Sequence, residues 1–191
     1  GWAEIDPERI WTCISEVIKE AAAESTSPVK AISTSVLGEA FHPVDKNGLP
    51  LRRTITSVDG RSQSQVDQIG SKLSDIEVFE KTGMALHRSY ALSKIMWIRD
   101  NEPEVYKNTW KFLHYGDYIA ARLGVEPVID LSVAGRSMML DVRGREWSGE
   151  ILELAGVDID LLPRAAQAGE VIGEVPSSIA SELGLPVGVK V

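Results

Sequence analysis

Cysteine is almost missing. Cys13 is the only one among 191 residues, so the chain has no internal disulfide and suits a reducing, cytoplasmic setting. Histidine is scarce too, and His42, His87 and His114 are too scattered to suggest a zinc site. Positive charge is in deficit. The net charge of −8, with no basic run, argues against a nucleic-acid binder, whose affinity comes from Lys and Arg against phosphates. No apolar run reaches the ~18 residues of a membrane span, and the N-terminus lacks the basic-then-apolar layout of a signal peptide. Familiar short signatures are absent as well: there is no GxxxxGK phosphate loop, no GxGxxG, no GxSxG and no HExxH.

What remains is 43% hydrophobic and 25% charged, the proportions of one globular domain. Both ends look cut: there is no initiator Met, and "GLPVGVKV" stops as a new strand begins. The expectation is a piece of something longer.

"DPERIWTCISEVIKEAAAES" is the clearest helix. Asp6 suits the N-cap, Pro7 the first helical position and Glu8 the positive end of the macrodipole. Ile10, Cys13, Ile14, Val17, Ile18 and Ala21 recur at three- and four-residue steps, which predicts one buried stripe with Cys13 packed on it. "VKAISTSV" reads as a strand, "DKNGLP" as a hairpin turn, and "RRTITSVD" as a further strand ending at Asp59. From Arg61 the pattern turns helical: "SQSQVDQIGSKL", then "SDIEVFEKTG" with Ser74 as cap and Gly83 as stop. "ALSKIMWIRDNEPEVYKNT" predicts another helix, with Pro103 starting a separate short one. "WKFLHY" is a candidate strand and "GDYIAARLG" a helix closed by Gly124, while "SGEILELAG" and "PSSIASELG" each pair a capping Ser with a terminal Gly. "VDIDLLPRAAQAGEVIGEV" carries two short strand-like pieces and reads as a surface arm. Strands alternating with helices place the chain in the α/β class, with helix in excess.

Two carboxylates stand out. Glu39 follows Gly38 after the first predicted strand, and Asp59 ends the second. If those strands are neighbours, both acids open at one sheet edge, where open α/β sheets bind ligands. Acids there can accept hydrogen bonds from sugar hydroxyls or act as a base. The plainer reading is that each caps a turn, Asp59 before Gly60 in "SVDGR".

Six segments in register resemble the FGGY family of carbohydrate kinases almost end to end. They are "GWAEIDPERIW", "AISTSVLGEAFHPVDKNGLPL", "SVDGRS", "TGMALHRSYALSKIMWIRDNEPEVY", "VIDLSVAGRSMMLDVRGREWSGEIL" and "GEVIGEVPSSIASELGLPVGVKV". In the fourth, Lys94, Trp97 and Asp100 match the family's signature of Lys, Trp and an acid. The resemblance implies a ribonuclease H-like, actin-like ATPase fold, a mixed sheet flanked by helices. Residues 1–191 would be a partial sugar-binding domain, incomplete at both ends. It lacks the first phosphate-holding hairpin, the ATP domain and the catalytic Asp, which is expected just beyond Val191. It further implies ATP and Mg²⁺ in the full-length enzyme and none bound to this piece. The substrate would be a small sugar or sugar acid, a pentulose such as xylulose or else gluconate, and a homodimer is among the assemblies it allows. No nucleic-acid or membrane partner is implied.

By the same resemblance, Gly38, Glu39, Asp59, Arg61 and Tyr90 are candidate substrate contacts. Glu39 matches the acid of the glycerol-type run, whereas Leu37 and Gly38 match none of the family's usual residues. Ser57 stands where an aromatic often closes on small polyols, and Ala91 departs from the family's Ser, Thr or Pro. Lys94 and Trp97 share a helix face, and packing against the sheet is the reading given to both. Two other functions are carried alongside: a non-catalytic module that binds a polyol or sugar acid, and a hydrolase using Glu39 and Asp59 as acid and base.

Overall fold

Asp6 starts the longest helix of the computed structural model, which describes all 191 residues. Its carboxylate accepts the Glu8 and Arg9 amides at 3.1 and 3.4 Å, and Pro7 fills the first turn of α1 (Pro7–Glu24). A short strand, β1 (Glu4–Ile5), precedes it. The helix lies a step round from the expected orientation. Trp11, Ile14, Ile18 and Ala22 pack onto a core patch formed by Ile119, Leu123, Leu183 and Val189. Cys13 and Val17 face solvent. Trp11, the bulkiest side chain of the helix, is half-buried, so the apolar stripe turns towards it.

The segment expected as the first strand, residues 29–36, is extended without being one. A strand needs a ladder, and only Lys190 comes alongside: Ile32 N–H donates to its carbonyl at 2.8 Å and its own N–H to Lys30 at 3.0 Å. The strand entering the hairpin is instead β2 (Phe41–Val44), buried throughout. Gly38, Glu39 and Pro43 had disguised it as turn, since Pro is rare inside a sheet. The turn itself is as expected. Asp45 accepts the Asn47 and Leu49 amides at 2.8 and 2.9 Å, and Gly48 has φ 74. The return strand β3 is only Thr54–Ile55.

Helices α2 (Gln63–Gly70), α3 (Asp75–Thr82), α4 (Ala91–Asn101) and α5 (Pro103–Asn108) follow. The Ser74 capping box, the Gly83 stop and the break at Pro103 are all present. Then come β4 (Lys111–His114), α6 (Tyr115–Arg122), β5 (Val128–Asp130) and α7 (Leu131–Gly135). A hairpin of β6 (Leu140–Asp141) and β7 (Glu146–Trp147) leads to α8 (Gly149–Ala155). The chain closes with β8 (Arg164–Ala166) and α9 (Ser177–Glu182). Arg164–Ala166 runs parallel to β5, so the stretch expected as a surface arm is tied into the body. Pro176, not a serine, occupies the N-cap of α9.

The main sheet has the order β1-β3-β2-β4 and is antiparallel throughout. Phe41 and Phe112, on adjacent strands, meet edge to face at 5.9 Å, inside the core that α4 fills with Leu92, Ile95 and Ile98. Eight consecutive residues of α4, from Ala91 to Ile98, are buried, which makes it the central helix. That includes a lysine.

Candidate functional site

Glu39 sits in a left-handed turn with φ 65, a conformation few residues with a side chain adopt. The residue is 8% exposed. Arg136, the C-cap of α7, reaches across to it: its Nε donates to Oε1 at 2.6 Å, and Nη2 donates to the same oxygen. The Arg136 stem lies flat on Gly38, with Cβ and Cγ 3.6 Å from where a side chain at residue 38 would begin. Sequence reasoning missed Arg136. It lies in the quoted "VAGRS" segment, but only the fold brings it across 97 residues of chain to Glu39.

Asp59 and Arg61 form a separate unit. Asp59 is fully buried, and its two oxygens accept from the Ala3 amide (2.5 Å) and from the Arg61 amide, Nε and Nη2 (2.8–2.9 Å). Burial alone would raise its carboxyl. The Arg61 and Ala3 hydrogen bonds outweigh that and hold it at about 2. The Arg61 side chain, 1% exposed, also pairs with Glu4 at 2.7 Å. Its guanidinium stacks on Trp2 at 4.1 Å and Trp97 at 4.9 Å. This clamp ties the strand before α1 to the turn after β3. It leaves Asp59 no lone pair directed at solvent.

Lys94 joins the two units. It is fully buried on α4, and its ammonium donates to the Thr56 carbonyl at 2.8 Å and the Ser89 carbonyl at 2.5 Å. Burial lowers its pKa to about 8, while the charges of Asp59 and Glu39 oppose the fall. Packing against the sheet understated its role: one ammonium fixes the turn carrying Asp59 and the loop carrying Tyr90, within reach of the Glu39 charge. Trp97 packs in the core, as expected, and also against Arg61. Tyr90 caps α4, half-buried against the core, with its ring 6.4 Å from His87 and no intramolecular partner for its hydroxyl. His87 is exposed and accepts the Ser89 amide at 3.2 Å.

Gly38 and Tyr90 are half-buried and Glu39 is buried, while Asp59 and the Nε and Nη2 of Arg61 are taken up in the clamp and Arg61 Nη1 is buried without a partner. None of the five lines the cavity of about 140 Å³ bordered by Ser33, Thr34, Asp117, Asp130 and Glu170. In that cavity Asp117 is buried, which pushes its carboxyl up to about 8. His42 and His114 lie in the sheet with pKa values lowered to about 3 and about 4, burial being the main cause for each. No helix is long and apolar enough to cross a membrane.

Comparison with known proteins gives the setting. The profile described as "FGGY family of carbohydrate kinases, N-terminal domain" matches residues 1–191. A gluconokinase from Bacillus subtilis is 32% identical over 186 residues, covering 96% of this chain and 36% of the relative. An L-fuculokinase from Escherichia coli is 29% identical over 191 residues, covering 100% of this chain and 40% of the relative. The crystal structure of gluconate kinase from Lactobacillus acidophilus superposes with a TM-score of 0.90 at 25% identity, over 99% of this chain and 38% of that one. A ligand-bound xylulose kinase from the same organism gives 0.90 at 25% identity over 99% and 39%. The chain thus spans well under half the length of these relatives, and its fold is theirs, the mixed α/β domain of the actin-like ATPases. It belongs to the FGGY family of carbohydrate kinases, as the family's N-terminal domain.

Proposed function

We propose that this chain is the substrate-gripping part of an ATP-dependent, cytoplasmic kinase that phosphorylates a hydroxyl of a small sugar or sugar acid, a pentulose such as xylulose or else gluconate. The observation that carries the reading is Glu39: a largely buried carboxylate in a left-handed turn, with one oxygen, Oε2, taking no hydrogen bond from the protein. A strained polar residue with an unused acceptor is poised for a ligand. Gly38 lies half-buried beside it under the Arg136 stem, and Tyr90 offers an aromatic face and a hydroxyl with no intramolecular partner, groups suited to a sugar ring or chain. Asp59 and Arg61 shape the rim from behind.

In such a transfer the protein works by positioning a hydroxyl in line with a phosphoryl group. This chain would supply the positioning, with Glu39 orienting the sugar through its hydroxyls. ATP and Mg²⁺ enter the reading from the family alone, since no group of three or more His, Cys, Asp or Glu side chains here could hold a metal ion. By the family resemblance, the acceptor for the hydroxyl proton would be an Asp outside residues 1–191.

In the full-length enzyme, Glu39→Ala should raise the sugar KM by about 5- to 150-fold, the equivalent of about 1–3 kcal/mol for a lost buried hydrogen bond. An unchanged KM for every accepted sugar would remove Glu39 from the site. Absence of ATP-dependent phosphorylation across pentuloses, hexonates and polyols would defeat the kinase reading itself.

A further inference from the structure

The geometry points to Arg136 as a substrate-contacting, specificity-determining residue that, with Glu39, selects adjacent hydroxyls of an uncharged sugar over a carboxylate. The inference rests on the kinase reading above and narrows its substrate class.

The ion pair is built in an unusual way. A fork-to-fork arginine–carboxylate pair sends two parallel N–H donors to the two carboxylate oxygens, one to each. Here Nε and Nη2 converge on Oε1 alone. Oε2 of Glu39 and Nη1 of Arg136 are left without a partner, so an acceptor and a donor stand free on one ion pair. Two neighbouring hydroxyls match that arrangement, one donating to Oε2 and the next accepting from Nη1.

Exposure sets the order of contact. The Glu39 side chain is 10% exposed and that of Arg136 53%, so a ligand reaching the carboxylate passes along the guanidinium. Arg136 is not a loose surface arginine. Its amide donates to Val133 at 3.0 Å, and the next residue, Ser137, is buried and accepts the Leu92 amide at 3.1 Å. Met138, two residues on, is left-handed with φ 64, so strained backbone flanks the pair on both sides. Its stem covers Gly38, at the distance of ordinary van der Waals contact.

Charge decides the ligand class. The pair is neutral as a unit. A sugar acid placing its carboxylate at Nη1 can still donate a neighbouring hydroxyl to Oε2, but it brings a second negative charge beside Glu39, which is unfavourable. A neutral diol satisfies both free groups at no electrostatic cost.

The test uses the full-length enzyme with D-xylulose, L-fuculose, glycerol and D-gluconate, following ATP-dependent phosphorylation and, without ATP, calorimetric binding. Wild type should prefer a neutral sugar. Arg136→Ala should raise that sugar's KM by about tenfold or more with kcat little changed, as for loss of a hydrogen bond to a charged group. Arg136→Lys should recover part of the loss, because a single donor is restored without the planar fork. An arginine that merely braces the turn would lower kcat and thermal stability together and would not be rescued by lysine. That result overturns the inference, as does a KM within twofold of wild type, tighter binding of gluconate than of every neutral sugar, or no neutral sugar bound at all. If sugars bind in this Arg136-dependent way but none is phosphorylated, the kinase reading falls and the role of Arg136 stands.

Discussion

Replacing Asp59 with asparagine separates the two roles its position suggested. The change keeps shape and removes one charge from a clamp in which the carboxylate accepts the Ala3 amide and three Arg61 nitrogens. Its folded pKa of about 2 lies below the ordinary 3.8. At about 1.4 kcal/mol per unit, that difference amounts to about 2 kcal/mol of stability at neutral pH. Deleting one partner of a fully isolated buried pair costs about 3–5 kcal/mol, but Glu4 still holds Arg61 at 2.7 Å, so the smaller figure applies. For a chain of this size about 2 kcal/mol lowers Tm by about 4–8 °C. A depressed carboxyl stabilises above its unfolded pKa and loses that contribution as pH falls through its folded one. The deficit of Asp59→Asn should therefore be complete at pH 7 and fade from pH 4 towards pH 2. Urea denaturation of both proteins across that range measures it. A difference under about 0.5 kcal/mol at pH 7, the size of an ordinary surface substitution, or one that persists undiminished at pH 2, would refute the clamp.

Two further tests probe the same neighbourhood and the far side of the fold. Because Lys94 titrates at about 8 when folded and near 10.5 when unfolded, the unfolded chain binds more protons between those values. Wild-type stability should then rise relative to Lys94→Met by up to about 1.4 kcal/mol per pH unit between pH 8 and 10. Parallel urea midpoints for the two proteins over that range would show that the ammonium is not buried. Gly124 has φ 77, and a methyl group there would lie 2.6 Å from Ile179 and 2.9 Å from Pro176. Gly124→Ala should destabilise by about 1–3 kcal/mol through strain and overpacking, and an unchanged melting temperature would contradict the packing of α9 against α6.

Helices were the most legible part of the sequence because their signals are local. Asp6-Pro7, the Ser74–Glu77 box and the Gly83 and Gly156 stops each act within a few residues, and each appears in the structure. Strands were legible only where their ladder lay. "WKFLHY" became β4, whereas the more strand-like "VKAISTSV" found one partner residue, and the Pro-containing Phe41–Val44 took the centre of the sheet. Pairing is long-range, and no residue carries it alone. The same distinction governs the face of α1, where packing chose Trp11, Ile14, Ile18 and Ala22 over the stripe through Cys13 and Val17 that periodicity predicted. Among the candidate contacts, Glu39 and Tyr90 were named from motifs. Arg136 could not be, because nothing in its own segment refers to residue 38 or 39.

Glu39 and Asp59 looked equivalent in sequence, each an acid just past a predicted strand beside a glycine. Counting lone pairs separates them. Asp59 spends its oxygens on three Arg61 nitrogens and a backbone amide, beside a guanidinium set against two tryptophan rings, and so builds structure. Glu39 receives both of its donors on one oxygen and keeps the other. Lys94, under both, makes the asymmetry sustainable. Both acids attract its buried charge, and its hydrogen bonds to Thr56 and Ser89 hold the surrounding loops without using either acid. A buried ammonium that bonded directly to Glu39 would have taken the free oxygen and closed the site. Because it anchors on backbone carbonyls instead, Oε2 of Glu39 keeps no partner within the protein.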